Sequence, residues 1–506
     1  MRARFKRLLF LVHRWLGVIL CAFFAMWFVS GVVMMYVGYP KLTDAERLRH
    51  LPPLAAEAPL LSPQQALARA AVDAPLKELR LAAASGGRSA YFATPKAKGS
   101  ATVAIDAMGG TRLPATDRAR ALASAAAFAA PGAGLRYLDV IAEDAFTHSR
   151  ALDAHRPLHR VEVDDASKTM LYISGRTGEV VRDATRSERL WNYAGAWIHW
   201  LYPFRGNIFD SYWSDIVNWL SIAGIAMALS GTVVGIMRWR FVRPYRNGGR
   251  TPYQGFMRWH HIGGLLFALT TITWIFSGLM SMNPWRVFDT DAAPLQAQAL
   301  EGGAPSLAAS VAAPSALLAA AGGSVRELRW TRVQGRVVVQ AFAAGGKPVL
   351  LDGATAQPLQ LDPAALRTAA AQLLPGSVPR FAMQSVYDLY YYNRDAHTMT
   401  GGSAKPLPVL RVEFDDPQAS WVYLDPYTGA VVGRSDRGKR SSRWLFAMLH
   451  SWDWLPLLER RPLWDMLLIF LSIGGAVMSI TGIVIGWRRL GKKLRGSGVP
   501  RTIRLP

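Results

Sequence analysis

The 506-residue sequence contains a single cysteine, Cys21, and this scarcity excludes several kinds of site. One cysteine cannot form a disulfide within the chain, and it cannot supply an iron–sulfur cluster or a cysteine zinc site. The Cys-x-x-Cys-His sequence that attaches haem covalently is absent, as is the His-Glu-x-x-His zinc motif. Any metal or cofactor chemistry in this chain therefore depends on other side chains.

Charged residues are missing from four long apolar runs. Each run has 22 or 23 residues, and about 20 residues of helix suffice to span a bilayer. The runs are 15–37, 216–237, 262–283 and 466–487. The first run could be a signal peptide, but it has no clear cleavage site of small residues, and we interpret it as a retained anchor. The sequence therefore predicts an α-helical bundle with four membrane spans.

Acidic residues are missing from three short basic segments. Residues 1–10, 238–258 and 488–506 contain four, six and seven Lys or Arg residues, which supply most of the net charge of +23. Positively charged segments beside membrane spans stay in the cytoplasm. This rule predicts that both termini and the central linker are cytoplasmic, and that two large regions lie on the other side of the membrane. Because topology explains the basic segments, we expect no nucleic-acid partner.

The spans and basic segments divide the chain into eight parts. The first external region, 38–212, contains an interfacial segment around 190–203, and the second, 284–463, contains one around 443–456. The other parts are short. They are a cytoplasmic N-terminus with the first span at 1–37, further spans at 213–237, 259–283 and 464–487, a basic linker at 238–258 and a basic tail at 488–506.

Both external regions are predicted to be α+β. Ala- and Leu-rich helical stretches at 63–74 and 363–374 alternate with runs of β-branched and aromatic residues that favour strands. The predicted strands include 101–106, 169–174, 336–341 and 420–425. A strand followed by a tight turn occurs twice in each region, so we expect two small sheet-and-helix units in each. The Ala-, Pro- and Gly-rich stretch 292–322 is predicted to be a loose linker.

Matching residues recur at fixed spacings, which indicates an internal duplication. His199 and His450 are 251 residues apart, and His13 and His260 are 247 apart. Further matches at 251 are Asp164/Asp415, Asp165/Asp416, Thr177-Gly178/Thr428-Gly429, Leu220-Ser221-Ile222/Leu471-Ser472-Ile473 and Gly235/Gly486. Further matches at 247 are Gly17/Gly264 and Ser30-Gly31/Ser277-Gly278. The order span, region, span therefore occurs twice, as in proteins whose halves are related by an axis along the membrane normal.

Four of the ten histidines form two matched pairs at membrane edges. His13 and His260 begin outgoing spans near the cytoplasmic face, whereas His199 and His450 precede returning spans near the outer face. Ionisable residues in the membrane zone are costly and tend to be functional. Neutral imidazole is a good axial ligand for haem iron, and helix bundles hold porphyrins between facing helices. We therefore predict two bis-histidine haems, one near each face.

His261 stands beside His260, and adjacent residues of an α-helix point about 100° apart. The two rings therefore cannot both bind one iron simply; the repeat favours His260, and His261 is an alternative ligand or a supporting donor. A competing interpretation makes all five residues interfacial histidines within a belt of tryptophans. Arg14, Arg258 and Arg443 are candidates for pairing with haem propionates.

The remaining five histidines fall in the predicted external regions, where ordinary surface or turn positions are expected. They are His50, His148, His155, His159 and His397. His148, His155 and His159 are close enough in sequence for a metal site. Because the matched positions in the second half are not histidine, we predict no metal site there.

Several short motifs carry a family resemblance. They are His13-Arg-Trp-Leu-Gly17 and Ser30-Gly31 in the first span, and in the second region Asp388-Leu-Tyr-Tyr-Tyr-Asn-Arg394, Leu407-Pro-Val409 with Arg411, Asp415-Asp416 and Asp425-Pro-Tyr-Thr-Gly429. With these motifs the chain resembles, over nearly its whole length, the PepSY-associated transmembrane proteins, which include bacterial inner-membrane ferric-siderophore reductases. The first region departs from the tyrosine-rich pattern, with Asp144-Ala-Phe-Thr-His-Ser-Arg150.

The resemblance implies two PepSY-like domains in the periplasm, a location in the bacterial inner membrane and, for the reductases, haem b in the bundle. It implies electron flow to a ferric siderophore, which then releases its iron. The short basic segments lack a Gly-x-Gly-x-x-Gly dinucleotide fingerprint, so the donor is quinol or a separate cytoplasmic reductase. The haem ligands carried over are His13, His199, His260 (or His261) and His450.

Two further points stay open. The segment Tyr387–Tyr392 with Arg394 could dock an anionic chelate, although a structural core is the favoured interpretation. A non-redox PepSY protein that binds or inhibits an envelope peptidase, or senses a signal, is the alternative function. A haem or iron transporter is the least favoured, because four spans make a poor transport path.

Overall fold

The structure is a computed structural model that describes residues 2–97, 99–246, 248–303, 306–393 and 405–496. The α-helices are α1 Arg2–Tyr36, α2 Asp44–His50, α3 Pro63–Arg69, α4 Arg118–Phe128, α5 Arg186–Asn192, α6 Trp213–Arg238, α7 Gly255–Leu266, α8 Ala268–Ser281, α9 Gln298–Glu301, α10 Pro314–Ala321, α11 Pro363–Ala371, α12 Arg437–Ser442, α13 Leu455–Leu458 and α14 Leu463–Gly496. The strands are β1 Leu76–Ser85, β2 Arg88–Pro95, β3 Val103–Asp106, β4 Gly134–Ile141, β5 Leu158–Asp164, β6 Met170–Ser174, β7 Val180–Ala184, β8 Glu327–Val333, β9 Arg336–Phe342, β10 Val349–Asp352, β11 Pro379–Gln384, β12 Val409–Phe414, β13 Trp421–Leu424 and β14 Val431–Ser435.

Three helices of the described chain, α1, α6 and α14, are long and apolar enough to cross a membrane. A fourth candidate is bent, since α7 and α8 meet at 67° and cross only if the pair counts as one span. This bent pair corresponds to the predicted span 259–283. The break falls at Phe267, whose ring occupies space that Gly474 on α14 leaves open by having no side chain. The prediction of a membrane protein is confirmed.

These helices pack against one another through close contacts of rings and small residues. α1 lies against α14 and α6, α6 against α8, and α14 against α7. A Cβ on Gly224 would lie 3.2 Å from the Phe24 ring, and one on Gly475 would overlap the Phe28 ring. Because lipid tails are as apolar as these side chains, tight packing rather than burial from water holds such helices together.

The sequence-predicted helices and strands of the two α+β regions are present, but their sheets are joined differently from the prediction. One six-stranded sheet has the order β10-β9-β8-β1-β2-β3, so it combines strands from both regions. Strands β1 and β8 pair antiparallel, with Arg80 opposite Arg329. The tripeptide Glu-Leu-Arg occurs in both strands, at Glu78–Arg80 and Glu327–Arg329. The expected two separate units per region are therefore wrong for the first unit of each.

The second unit of each region is a separate four-stranded sheet. The orders are β4-β5-β6-β7 and β11-β12-β13-β14. Helix α4 packs on the first of these sheets, while α11 contributes Leu366 and Ala370 to the buried core of the second. These two sheets match the predicted sheet-and-helix units.

The stretch 292–322 is not a loose linker, contrary to the prediction. Its described residues include α9, a short 3-10 turn and α10. Leu317 of α10 is fully buried in the core beneath the six-stranded sheet. The alanines and leucines of this stretch therefore form a packed helix, and composition alone does not distinguish this from a flexible segment.

A buried ionic network joins the two regions at the β1–β8 pair. Glu327 has no exposed surface and accepts bonds from Arg47 at 2.7 Å, Arg80 at 3.2 Å and Arg329 at 2.8 Å. Burial by itself would raise the pKa of Glu327, but the charges of Arg47 and then Arg80 outweigh it and bring the pKa to about 2. Arg80 also reaches Glu179 at 3.0 Å, so the network ties four chain segments together: α2, β1, the turn before β7, and β8.

Candidate functional site

Two pairs of histidine rings meet inside the helical bundle. His13 on α1 faces His260 on α7, with ring centroids 6.2 Å apart and an interplanar angle of 34°. His199 faces His450 with the same centroid distance, 6.2 Å, at an angle of 81°. We call these the inner pair and the outer pair. They are the pairs that the sequence spacing predicts.

The outer histidines are positioned by irregular helix rather than by the spans themselves. His199 follows a π-helical segment at Tyr193–Trp197, and His450 follows another at Arg443–Met448. Gly195 departs from helical geometry inside the first segment, where a Cβ would lie 3.0 Å from Val33 of α1. Single π-turns are rare and occur mostly at functional sites, because they redirect the side chains that follow.

The inner rings are each anchored through Nδ1 to a backbone carbonyl of a neighbouring helix. His13 Nδ1 lies 3.1 Å from the Met227 oxygen, and His260 Nδ1 lies 3.1 Å from the Met478 oxygen. Because a carbonyl can only accept, both rings carry their proton on Nδ1 when neutral. The lone pair is then on Nε2.

The outer rings have the same tautomer, with the proton on Nδ1, and serines accept from it. Ser30 Oγ lies 2.9 Å from His199 Nδ1, and Ser277 Oγ lies 3.0 Å from His450 Nδ1. Each serine donates its own proton to a carbonyl one turn earlier in its helix, at 2.7 and 3.0 Å. The serines therefore accept from Nδ1–H, and Nε2 again carries the lone pair. Metal-bound histidines characteristically donate their other ring N–H in this way.

His261 is held differently from the four paired histidines. Its Nδ1 lies 2.7 Å from Thr251 Oγ1, and its Nε2 lies 2.8 Å from the Gly235 carbonyl oxygen. Both ring nitrogens are therefore engaged, and the side chain is buried. Its contacts fasten the segment between α6 and α7 to the bundle. Of the two adjacent histidines, the structure places His260 against His13.

A cavity of about 300 Å³ opens at the inner pair. Gly17, Gly231, Gly264 and Gly482 line it, and two of them make room for the rings. A Cβ on Gly231 would lie 2.7 Å from His13 Nδ1, and one on Gly482 would lie 3.2 Å from His260 Cε1. The small residues therefore keep space open on both sides of the inner pair.

The spacing within each pair fits a shared metal ion. A ligating imidazole nitrogen lies about 2.0 Å from a transition metal, so two rings on opposite sides of one metal have centroids about 6 Å apart. Within the described chain, no group of three or more His, Cys, Asp or Glu side chains could hold a metal ion. A two-histidine site suits haem, because the porphyrin supplies the other four ligands. The paired residues therefore fit haem.

Aromatic side chains fill the bundle between the pairs. From His13 to Ser30, the helix α1 rises about 25 Å. Phe24 and Phe28 lie in this interval with centroids 6.4 Å apart, and Phe28 lies 5.8 Å from Trp274. The rings pack against helix positions that glycine leaves open. The two pairs are thus separated by packed aromatic side chains.

The three arginines considered for propionates have different surroundings. Arg14 lines the inner cavity, and its buried Nε has no acceptor among the described residues. The other arginine among the described lining residues is Arg489, which sequence reasoning grouped with the basic tail. Arg443 instead pairs with the buried Asp453 at 3.0 Å. Arg258 is not among the residues lining the cavity.

The tyrosine-rich segment is largely a structural core, as the favoured interpretation has it. Tyr391 is 1% exposed, stacks on Tyr423 at 4.8 Å and donates from its hydroxyl to the Pro406 carbonyl at 2.7 Å. Arg394 lies outside the described residues. Tyr390 and Tyr392 are only half-buried.

The first region lacks the tyrosine-rich sequence of the second, but it contains a similar ion pair. Asp144 pairs with Arg160 at 3.3 Å, as Asp388 pairs with Arg411 at 3.2 Å. Arg160 and Arg411 are 251 residues apart, and this spacing is the signal that would have identified the shared ion pair. The three clustered histidines of this region have separate partners: Glu143 for His148, Ser174 for His155 and Tyr137 for His159.

Comparison with known proteins places this architecture in a family. The model of the PepSY-associated TM region matches residues 10–389 and again residues 347–504. A search of curated proteins finds no match. The two matches cover nearly the whole chain, including all four paired histidines. The chain therefore belongs to the PepSY-associated transmembrane family.

Proposed function

We propose that the protein is a haem-containing oxidoreductase that passes electrons across the bacterial inner membrane to a ferric siderophore outside it. The proposal rests on the spacing and the hydrogen bonds of the four paired histidines. Both pairs have ring centroids 6.2 Å apart, and every ring is hydrogen-bonded at Nδ1, which leaves the lone pair on Nε2 for a metal ion. We assign one haem b with bis-histidine ligation to each pair as part of this proposal.

Within this proposal the bundle has four spans and arose by duplication. The bent pair α7–α8 is one span, matched to α1. Support comes from contacts that repeat at matched positions: Met227 and Met478 anchor the inner rings, while Ser30 and Ser277 anchor the outer rings. The π-helical segment before each outer histidine repeats as well.

The orientation follows from charge. Both termini and the segment between α6 and α7 carry the basic residues and face the cytoplasm. The two PepSY-like regions then lie in the periplasm, where a ferric siderophore arrives. The inner pair is near the donor, which is quinol or a separate cytoplasmic reductase, and the outer pair is near the acceptor.

Haem b would supply a one-electron Fe(III)/Fe(II) couple at each pair. The chain's own residues hold the imidazoles in one tautomer, keep the pairs about 25 Å apart along α1 and exclude water between them with packed aromatic rings. The acceptor gains one electron and its Fe(III) becomes Fe(II). Oxygen-rich chelators hold Fe(II) more weakly than Fe(III), so the iron can leave the siderophore.

An absorption spectrum of the full chain in detergent tests the proposal. We expect a bis-histidine haem spectrum, oxidised and dithionite-reduced, with two haems per chain. His13→Ala or His260→Ala should remove one haem, and His199→Ala or His450→Ala should remove the other. His261→Ala is the matched control and should retain both, because its nitrogens already bond Thr251 and Gly235.

One result of this experiment would contradict the proposed redox function. A folded, colourless preparation from haem-replete cells would exclude the redox function and leave the alternative of a non-redox PepSY protein that binds an envelope peptidase or senses a signal. If haem is bound, reoxidation of the reduced protein by a ferric siderophore distinguishes a reductase from a cytochrome with another acceptor.

A further inference from the structure

A cluster of cations and aromatic rings lies on the second α+β region, beside the outer pair. Arg440 lies over the Trp421 ring at 4.3 Å, and Arg443 lies over the Tyr392 ring at 3.8 Å. Lys405 also lies over Tyr392, at 4.9 Å. We define the cation–aromatic patch as these residues together with Tyr390, whose ring meets Trp421 at 5.3 Å.

The positive charge of this patch is incompletely balanced. Lys405 has no acidic partner among the described residues, and burial, followed by the charge of Arg443, lowers its pKa. The Nη1 atom of Arg440 is buried and finds no acceptor in the described chain, while its Nη2 donates to the Ala419 carbonyl at 2.8 Å. Buried donors without acceptors are costly, so a bound anion would stabilise this arrangement.

The matched positions of the first half lack this character. The residue 251 positions before Trp421 is Met170, which is buried in an apolar cluster. The counterpart of Arg443 is the uncharged Asn192. The counterpart of Arg440 is Arg189, which donates to the carbonyls of residues 184 and 168 at 2.6 and 3.0 Å. The patch is therefore a feature of one half and not a requirement of the sheet.

The patch lies close to the outer pair along one chain segment. Tyr390 accepts a hydrogen bond from Trp444 Nε1 at 2.9 Å. Two residues later, the Phe446 ring lies 5.5 Å from the His450 ring. Trp444 and His450 are six positions apart in the same helical segment. A molecule bound at the patch is thus within a short distance of the outer histidines.

We propose that the cation–aromatic patch binds the ferric substrate, and that it selects an anionic chelate whose iron is held by aromatic dihydroxy rings, the tris-catecholate class. The proposal rests on the proposed function and names its substrate class. Lysine and arginine attract the negative charge of such a chelate, and the partly exposed rings of Tyr390, Tyr392 and Trp421 offer aromatic surface to its catechol rings. A reduced haem held at the outer pair would supply one electron, so that Fe(III) becomes Fe(II) and the chelate becomes more negative by one charge.

Binding of a redox-inert analogue tests the patch independently of electron transfer. Gallium(III) tris-catecholate has the charge and shape of the ferric complex but cannot accept the electron. Its affinity for the full-length protein in detergent is measured by calorimetry. We expect the double variant Lys405→Gln/Arg440→Gln to bind about tenfold more weakly than the wild type, and added salt to weaken wild-type binding.

Two controls keep this test specific. Arg189→Gln removes the matched arginine of the first half and should change the affinity by less than about twofold. A neutral gallium tris-hydroxamate should bind the wild type more weakly than the catecholate and should be unaffected by the double variant. Circular dichroism shows whether each variant is folded, and Arg440→Lys, which keeps the charge, should restore much of the binding.

The patch would be excluded if the wild type bound both chelates equally, or if Arg189→Gln weakened binding as much as the double variant. Failure of the patch and failure of the proposed function give different results. Gallium tris-catecholate binding by a haem-free protein would retain the patch and exclude the redox function. Bound haem and reduction of the ferric chelate, without selective binding of gallium tris-catecholate, would retain the redox function and exclude the patch.

Discussion

The two halves of the bundle hold their outer histidines almost identically. Ser30 lies 2.9 Å from the His199 ring nitrogen, and Ser277 lies 3.0 Å from that of His450. Outside the bundle, residues at corresponding positions differ in burial. Glu327 of β8 is fully buried among three arginines, whereas the side chain of Glu78, in the same Glu-Leu-Arg tripeptide of β1, is 40% exposed.

This difference follows from what each part contacts. In the bundle, the two halves face each other across shared sites, so a change in one half alters the geometry for both. In the α+β regions both copies of the tripeptide lie at the junction, but the glutamate of one is enclosed by arginines and that of the other remains partly in solvent. A sequence match in the bundle therefore predicts equal roles, and a match outside it does not.

The largest expected contrast is between Glu327→Gln and Glu78→Gln. Removing the Glu327 charge leaves Arg47, Arg80 and Arg329 facing each other without their shared anion, and breaking a buried ion pair costs about 3–5 kcal/mol. Glu78 is half-exposed, so its loss should cost about 0.5 kcal/mol or less. Hydrogen exchange of the β8 backbone amides measures both changes. Equal protection in the two variants would contradict the buried network.

The difference in stability between the wild type and Glu327→Gln also depends on pH. The arginines outweigh the effect of burial and hold the pKa of Glu327 at about 2, below its ordinary value of 4.5. Its stabilisation is therefore present above about pH 4.5 and is lost as the pH falls towards 2. The wild type and Glu327→Gln should become equally protected at the acid end. A penalty that stays constant with pH would show that the charge is not the cause.

A smaller contrast concerns the glycines beside the inner pair. Gly231 and Gly482 are 251 residues apart, but a Cβ at Gly231 would collide with the His13 ring, whereas one at Gly482 would meet the Cys21 sulfur at 2.5 Å and the His260 ring at 3.2 Å. Overpacking costs about 1–3 kcal/mol. We expect Gly231→Ala to displace His13 and release the inner haem, leaving the outer one.

Gly482→Ala should have a weaker effect on the inner haem, because the cysteine side chain can move before the histidine ring does. The double variant Gly482→Ala/Cys21→Ala should be milder still. Reduced-minus-oxidised spectra count the haems that remain. Loss of the outer haem in Gly231→Ala would contradict the assignment of separate pairs.

Sequence spacing predicts which histidines meet, since the residues 247 and 251 positions apart are the ones whose rings face each other in the bundle. It leaves His261 unassigned, since the deciding contacts, with Thr251 and the Gly235 carbonyl, arise only from tertiary packing. The pairing of β1 with β8 is missed for the same reason: Arg80 and Arg329 are far apart in sequence, and local strand patterns do not specify a partner strand.

The smallest contrast lies within the outer pair itself. Ser30→Ala removes the acceptor at His199 Nδ1, which costs about 1 kcal/mol, or roughly fivefold in haem affinity. His450 Nδ1 also lies 3.3 Å from the Trp274 carbonyl, so Ser277→Ala leaves it a second acceptor, and we expect a change nearer twofold. Haem transfer to an excess of apomyoglobin measures both dissociation rates. If Ser277→Ala releases haem as fast as Ser30→Ala, the Trp274 carbonyl does not support His450, and the two halves of the outer pair are equivalent in energy as well as in geometry.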